Sequence, residues 1–286
     1  MLLTMDKLLK PAWEAGYAVG SFDVNDLETA AGVLEAAVEK RSPVILAIPE
    51  FGRNAALPMD TLFAAVARLA EPVSVPVALI LDHGRSLEAV VRAIRAGATA
   101  VMLDASTKPD EENVALTRRA AEIGHWAGVT VEGEIGHVGQ GAEYARIDED
   151  RNRLFTQPDQ AVEFVRQTGV DALAVAVGTA HGHYVGTPRL DFELLAKLHQ
   201  AVPVPLVLHG GSSSGDDNLH RASTLGVAKI NIYTDMATAA KRRIQAALAK
   251  DPARVSFGQI LAEGKAGFKE VSGHYMDVFG SAGRAG

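Results

Sequence analysis

Three histidines follow three different apolar runs of the sequence, and their positions are those that a metal ion would require. His83, His181 and His209 each come shortly after such a run ends. Neutral imidazoles from three strand ends can take three positions around one zinc ion and leave a fourth position open for a substrate. Alternatively, each could be a solvated loop residue or a hydrogen-bonded strand end. Because all three have Gly or Asp neighbours, the set favours a metal site.

Carboxylates accompany these histidines. Asp82 directly precedes His83, so it could orient a ligand, face a substrate or exchange a proton with it. The competing interpretation is that Asp82 caps the following turn. Asp104, Glu132 and Glu134 could orient histidine ligands, provide a second metal position, or lie buried as paired carboxylates.

Two polar segments follow the last two apolar runs and could bind a phosphate group. They are Gly210-Gly211-Ser212 and Asn231-Ile232-Tyr233-Thr234. Glycines let backbone N–H groups approach phosphate oxygens closely, and a helix N-terminus adds partial positive charge. The hydroxyl groups of Ser212 and Thr234 would complete the site. Two ordinary strand-to-helix turns would explain the same residues.

Eight short apolar runs can position these side chains as strands. Continuous apolar runs of this length are typical of parallel strands that are buried on both faces. The predicted strands cover residues 18–22, 44–48, 77–81, 100–103, 130–134, 172–177, 206–208 and 229–232.

Segments with helical spacing separate the predicted strands. They cover residues 27–40, 60–70, 87–96, 111–127, 158–168, 192–201 and 217–225. A further helix follows in 237–250, and the tail 256–286 adds another helical stretch and a Gly/Ala-rich end. Asp26, Asp60 and Ser86 are expected as N-caps. The alternation predicts an α/β fold, a (β/α)8 TIM barrel with a C-terminal helical extension, in one domain over residues 1–286. An open doubly wound sheet is less favoured, because no Gly-rich fingerprint follows the first strand.

The chain of 286 residues has a net charge of −7 and no cysteine, so any metal site must use His, Asp or Glu. No dense run of Lys and Arg indicates a nucleic-acid partner. No signal peptide and no run long enough to span a bilayer is recognised, and we expect a cytoplasmic enzyme. Residues 136–157 form an unusually long strand-to-helix connection, which fits either a mobile lid or a surface insertion.

Six ordered motifs resemble the class II fructose-bisphosphate and tagatose-bisphosphate aldolases, and the tagatose-type branch most of all. The similarity extends over nearly the whole chain. The motifs are LDHGRSLE at 81–88, VMLDAS at 101–106, VEGEIG at 131–136, GVDALAVAVGTAHG at 169–182, PLVLHGGSS at 205–213 and GVAKINIYT at 226–234.

The resemblance implies a role for each matching residue. His83, His181 and His209 match the ligands of one catalytic Zn²⁺, and Asp82 matches the acid that protonates the oxygen of the incoming aldehyde. The zinc ion would polarise the ketone as a Lewis acid. Asp104 and Glu134 match carboxylates that bind an additional monovalent or divalent cation or support the metal. The implied site for dihydroxyacetone phosphate comprises Gly182, Gly210, Gly211, Ser212, Asn231 and Thr234.

Several positions depart from the pattern of the family. In the long loop, Ala142 stands where an acidic proton-transfer residue is usual, and Glu143 follows it as the loop candidate. Asp23 replaces a usual Asn, Pro49 replaces a phosphate-contacting Ser, and Tyr233 replaces a small or acidic residue. These changes concern the aldehyde side and the loop, so the aldehyde product is expected to differ from glyceraldehyde 3-phosphate.

The resemblance therefore implies a zinc-dependent ketose-(bis)phosphate aldolase that reversibly forms dihydroxyacetone phosphate and an aldehyde. Its substrate would be fructose or tagatose 1,6-bisphosphate or a related ketose phosphate, and the enzyme would be a homodimer or homotetramer. One alternative is a non-catalytic metal-binding subunit. A barrel metallohydrolase is weaker, because the first predicted strand carries no H-x-H pair.

Overall fold

Eight parallel strands form a closed barrel and follow one another around it in sequence order. The computed structural model describes residues 1–50, 57–136, 138–139, 141, 154–184, 188–250 and 254–285. The prediction of a (β/α)8 barrel is confirmed, and the open sheet is ruled out because β1 pairs with both β2 and β8. The strands are β1 (Val19–Asp23), β2 (Val44–Pro49), β3 (Val77–Gly84), β4 (Ala100–Leu103), β5 (Thr130–Ile135), β6 (Ala172–Val175), β7 (Leu206–Leu208) and β8 (Val227–Ile232).

Helices surround the barrel, and the last two form the predicted C-terminal extension. Helix α10 packs against α2 and α9, and Lys265 and Lys269 of α10 form ion pairs with Glu35 of α2. The described helices are α1 (Asp6–Ala15), α2 (Leu27–Lys40), α3 (Met59–Ala70), α4 (Leu87–Arg95), α5 (Asp110–Ala127), α6 (Pro158–Thr168), α7 (Phe192–Ala201), α8 (Asp216–Thr224), α9 (Thr234–Lys250) and α10 (Phe257–Val278). None of them combines enough length with enough apolar character to cross a lipid bilayer.

Helix α1 was not predicted, and it covers the N-terminal end of the barrel. Its apolar side chains join barrel residues such as Met102 in one buried cluster; they are Leu8, Leu9 and Ala12, with Met5 just before the helix. Apolar packing closes this end of the barrel, and the polar side chains that follow the strands lie at the opposite, C-terminal end. That is the end at which barrel enzymes build their sites.

Two of the three predicted N-caps are confirmed. Asp26 accepts a hydrogen bond from the N–H of Thr29 at 2.7 Å, and Ser86 accepts one from the N–H of Ala89 at 3.1 Å. The prediction for Asp60 is wrong, because α3 begins one residue earlier and Asp60 lies inside its first turn. An acidic residue there still interacts favourably with the helix dipole.

Candidate active site

An irregularity at the end of β3 directs two neighbouring side chains into the same cavity. Between Leu81 and Gly84, β3 contains one residue more than the facing stretch of β4. His83 takes a positive φ of 48°, a left-handed conformation that is uncommon outside glycine. Both Asp82 and His83 therefore line the cavity. The regular alternation of a strand would point them in opposite directions, and the bulge is the reason that they share one cavity.

The three predicted histidines lie together: His83 and His181 line this cavity, and His209 is buried beside them. His83, His181 and His209 each place a ring nitrogen within 4.8 Å of the other two. The Nε2 atom of His83 lies 3.1 Å from the Nδ1 atom of His209. Two nitrogens that bind one tetrahedral zinc ion at about 2.0 Å lie about 3.3 Å apart. The observed spacing thus fits ligands of a shared ion.

Carboxylates contact two of these rings at the nitrogen that does not face the other histidine. The Nδ1 atom of His83 lies 2.7 Å from Oδ2 of Asp104, whose Oδ1 accepts hydrogen bonds from the N–H and hydroxyl groups of Ser106. The Nε2 atom of His209 lies 2.9 Å from Oε1 of Glu132. Such partners fix the orientation of a ligating imidazole and raise its basicity. They leave Nε2 of His83 and Nδ1 of His209 directed at each other.

The electrostatics of the site favour a bound cation. Burial, and then the charge of His83, lower the pKa of His181 to about 4 and that of His209 well below its usual value, so both rings are neutral. Burial opposes a charge on His83 as well, but Asp82, Asp104 and Glu134 outweigh it and raise the pKa of His83 to about 10. The carboxylates that hold a proton on this ring would also favour a metal ion in its place.

Glu134 offers an oxygen atom that has no hydrogen-bond donor in the described part of the chain. Its Oε2 atom is buried and lies 3.3 Å from Nδ1 of His209. Glu134, Asp104 and His83 also form a group whose ligand atoms lie within 4.8 Å of one another. Burial, and then the charge of Asp104, raise the pKa of Glu134 to about 8. A buried carboxylate with an unpaired oxygen is costly, and a cation would relieve that cost.

Buried polar side chains cross the barrel interior and connect Asp82 with His209. Oδ1 of Asp82 accepts a hydrogen bond from Nδ2 of Asn231 at 3.1 Å. Nζ of Lys229 donates to Oδ1 of Asn231 at 2.8 Å and to Oε1 of Glu132 at 3.0 Å. The side chains of Lys229 and Glu132 are both fully buried. Lys229 is therefore a buried ion-pair partner of Glu132, and it positions the carboxylate that contacts His209.

Three residues that line the cavity have backbone N–H groups with no acceptor among the described residues. Gly182, Ser212 and Thr234 donate no backbone hydrogen bond to any residue that the structure describes. All three line the cavity, and α9 begins at Thr234. Free N–H groups at a helix N-terminus form a ready site for phosphate oxygens. The cavity is lined by Asp23, Asp82, His83, His181, Gly182, Gly210, Ser212, Asn231, Ile232, Tyr233 and Thr234.

Tyr184 connects the two loops that carry His181 and His209. Its hydroxyl group accepts a hydrogen bond from the N–H of Ala180 at 2.7 Å and donates to the carbonyl of Gly210 at 2.9 Å. At Gly210, φ is +69° and a Cβ atom would lie 2.4 Å from the carbonyl oxygen of Ala180. Only glycine fits this close approach, and the approach sets the separation of the two loops.

The C-terminal extension supports the segment after β7. Asp235, in the first turn of α9, accepts hydrogen bonds from the N–H of Ser213 at 2.7 Å and from the hydroxyl of Tyr275 at 2.6 Å. Tyr275 belongs to α10. Ser213 has a positive φ of 60°, and these contacts hold it in that conformation. Helix α10 thus helps to position the loop beside the free N–H groups.

Some predicted residues are placed elsewhere. The N–H of Gly211 donates to the carbonyl of Asn231 at 3.1 Å, and Gly211 is absent from the described cavity lining. Glu143 lies outside the described residues. The backbone of His181 pairs with Gly139 and Gly141, so the long connection begins beside a candidate ligand. His183 is exposed.

Three residues of the site were not predicted as such. Asp23, noted from the sequence only as a departure from the family pattern, ends β1 and lines the cavity; a further signal was available, because it ends its strand as Asp104 follows β4. Lys229 is a single lysine in the eighth apolar run, and its partner Glu132 could not be identified from sequence. For Tyr184 we find no sequence signal beyond its place in the loop after His181.

Comparisons with known proteins match the chain over almost its whole length. The family model for class II fructose-bisphosphate aldolase matches residues 3–284. The chain is 39% identical to fructose-bisphosphate aldolase from Thermus caldophilus, with 100% of both chains covered. It is 40% identical to fructose-bisphosphate aldolase from Geobacillus stearothermophilus, with 99% of both covered. The crystal structure of the YdjI aldolase from Escherichia coli K12 superposes with a TM-score of 0.87 at 36% identity, with 100% of both chains covered.

Proposed function

The chain belongs to the class II fructose-bisphosphate aldolase family, and from that premise we propose that it is a zinc-dependent ketose phosphate aldolase. It cleaves its substrate reversibly to dihydroxyacetone phosphate and an aldehyde. The observation that carries the proposal is the convergence of His83, His181 and His209 beside a cavity whose lining includes Gly182, Ser212 and Thr234, which donate no backbone hydrogen bond to a described residue. Membership of the family itself makes the protein an aldolase that uses a divalent metal and a phosphorylated sugar.

His83, His181 and His209 would hold the zinc ion, and Asp104 and Glu132 would keep the first and third rings in place. An all-imidazole set with supporting carboxylates suits zinc. When bound, the ion supplies Lewis-acid polarisation of the substrate ketone. Glu134 and Asp104 are candidates for an additional cation, since their oxygens and His83 lie close enough to share one.

The chain's own groups bind the substrate and move a proton. The N–H groups of Gly182, Ser212 and Thr234 would bind the phosphate of the dihydroxyacetone phosphate half, together with the positive end of α9. Asp82 lines the same cavity, held by Asn231. In cleavage its carboxylate accepts the proton of the hydroxyl group next to the breaking bond. In condensation it returns that proton to the aldehyde oxygen.

The departures from the family sequence pattern concern the part of the site that would bind the aldehyde half of the substrate. Asp23 and Tyr233 both line the cavity, and both differ from the usual family residues. We propose that the donor remains dihydroxyacetone phosphate and that the aldehyde differs from glyceraldehyde 3-phosphate. A non-catalytic metal-binding subunit is the remaining alternative.

A retro-aldol assay with ketose 1-phosphates and with fructose and tagatose 1,6-bisphosphates tests the proposal. We expect zinc-loaded protein to release dihydroxyacetone phosphate from at least one of them. Treatment with EDTA should abolish the release, and added zinc should restore it, because the ketone is otherwise not polarised. If zinc-loaded protein cleaves none of these substrates, the non-catalytic alternative replaces the proposal.

A further inference from the structure

Asp23 presents an unpaired carboxyl oxygen at the cavity. It is the last residue of β1, where the strand lies between β8 and β2. Its Oδ1 atom is buried and has no hydrogen-bond partner among the residues that the structure describes. A buried polar atom without a partner costs free energy. The side chain nevertheless lines the cavity, so a bound ligand can provide the missing partner.

The position of Asp23 matches the aldehyde half of the substrate. The free N–H groups at Thr234 account for the phosphate, and the three histidines account for the ketone. The remaining acidic side chains of the described lining are Asp23 and Asp82, and this lining includes no Lys or Arg. Beside Asp23, Nδ2 of Asn25 donates to the hydroxyl of Tyr233 at 3.0 Å and connects the loops after β1 and β8.

We propose that Asp23 is a specificity-determining residue, whose carboxyl group hydrogen-bonds a hydroxyl group of the aldehyde half and disfavours a phosphate there. This inference rests on the proposed aldolase function. The preferred substrate is then a ketose 1-phosphate with an uncharged, hydroxylated chain. A hydroxyl group can donate or accept, so it pairs with Asp23 in either protonation state. A second phosphate would lie beside the carboxylate of Asp82 and the unpaired oxygen of Asp23, with no Lys or Arg in the described lining to offset its charge, and repulsion by Asp82 opposes it.

The test compares wild-type protein with Asp23→Asn, which keeps the size of the side chain. The measured quantity is the ratio of kcat/KM for a ketose 1-phosphate to kcat/KM for the matching 1,6-bisphosphate. We expect the wild-type ratio to exceed one and Asp23→Asn to lower it by about fivefold or more, since hydrogen bonds to charged groups have effects of this size. Asp23→Ser, with a shorter side chain, should lower the ratio in the same direction.

Glu28→Gln is the matched control, because it removes a carboxylate from the first turn of α2 without altering the cavity lining. The inference is overturned if the wild type prefers the bisphosphate, or if Asp23→Asn lowers the ratio by less than about fivefold. It is also overturned if Glu28→Gln changes the ratio as much as Asp23→Asn does. Exchange of the donor proton of dihydroxyacetone phosphate with D2O distinguishes failure of the proposed aldolase function from failure of this inference alone. No exchange in the wild type overturns the proposed function and this inference with it. Exchange with an unchanged ratio overturns the inference alone.

Discussion

Asp82→Asn lowers kcat for aldol cleavage by about a hundredfold to ten-thousandfold, the usual contribution of a positioned acid–base group. An amide at this position keeps the shape of the side chain and can still accept the hydrogen bond that Asn231 donates to Asp82. It cannot accept the proton of the substrate hydroxyl. Steady-state cleavage kinetics with zinc-saturated protein measure the effect.

Asp104→Asn provides the contrast that separates proton transfer from metal binding. Asp104 holds His83 from behind at 2.7 Å, so its replacement should weaken zinc affinity by about 10–100-fold. Asp82→Asn should retain close to wild-type zinc affinity. The role of Asp82 is contradicted if its variant keeps kcat within about tenfold of wild type, or if it loses activity only through loss of zinc.

Lys229→Met lowers the free energy of unfolding by about 3–5 kcal/mol, as expected when one partner of a buried ion pair is removed. Methionine fills much of the same volume but leaves the carboxylate of Glu132 without its cation at 0% exposure. Chemical denaturation of the metal-free protein measures the loss. Asn231 and Glu132 both accept hydrogen bonds from Lys229. Their side chains should therefore also lose order.

Two further variants show whether the cost comes from the unpaired charge. Adding Glu132→Gln to Lys229→Met removes that charge, and part of the stability should return. Lys108→Met breaks an exposed pair with Glu112 on α5 and should cost less than about 1 kcal/mol. Equal losses for Lys229→Met and Lys108→Met would contradict the structural role of the buried pair.

The barrel was predictable because its strands are buried on both faces and therefore form unbroken apolar runs. Helix α1 was missed although Met5, Leu8, Leu9 and Ala12 have helical spacing. It precedes the first strand and contains Pro11, so neither the strand–helix alternation nor intrinsic propensity required it. The N-cap of α3 is Pro58 rather than Asp60, because the sequence does not reveal which residue begins a helix.

The grouping of the histidines followed from topology alone, since the strand ends of a closed barrel converge at one end. The bulge in β3 did not follow, because the strand period of two predicts opposite directions for Asp82 and His83. The pairing of Lys229 with Glu132 depends on how β8 and β5 face each other across the interior. Such contacts between distant segments of the chain are set by packing, and no local pattern encodes them.

Metal stoichiometry is the most direct test of the shared histidine site. Wild-type protein dialysed against zinc should bind about one tightly held ion per chain, measured by elemental analysis together with titration calorimetry. His83→Ala, His181→Ala and His209→Ala should each lose that tightly bound ion while the far-ultraviolet circular dichroism of the barrel persists. Full zinc occupancy with wild-type affinity in any one of these variants would contradict a site shared by the three rings.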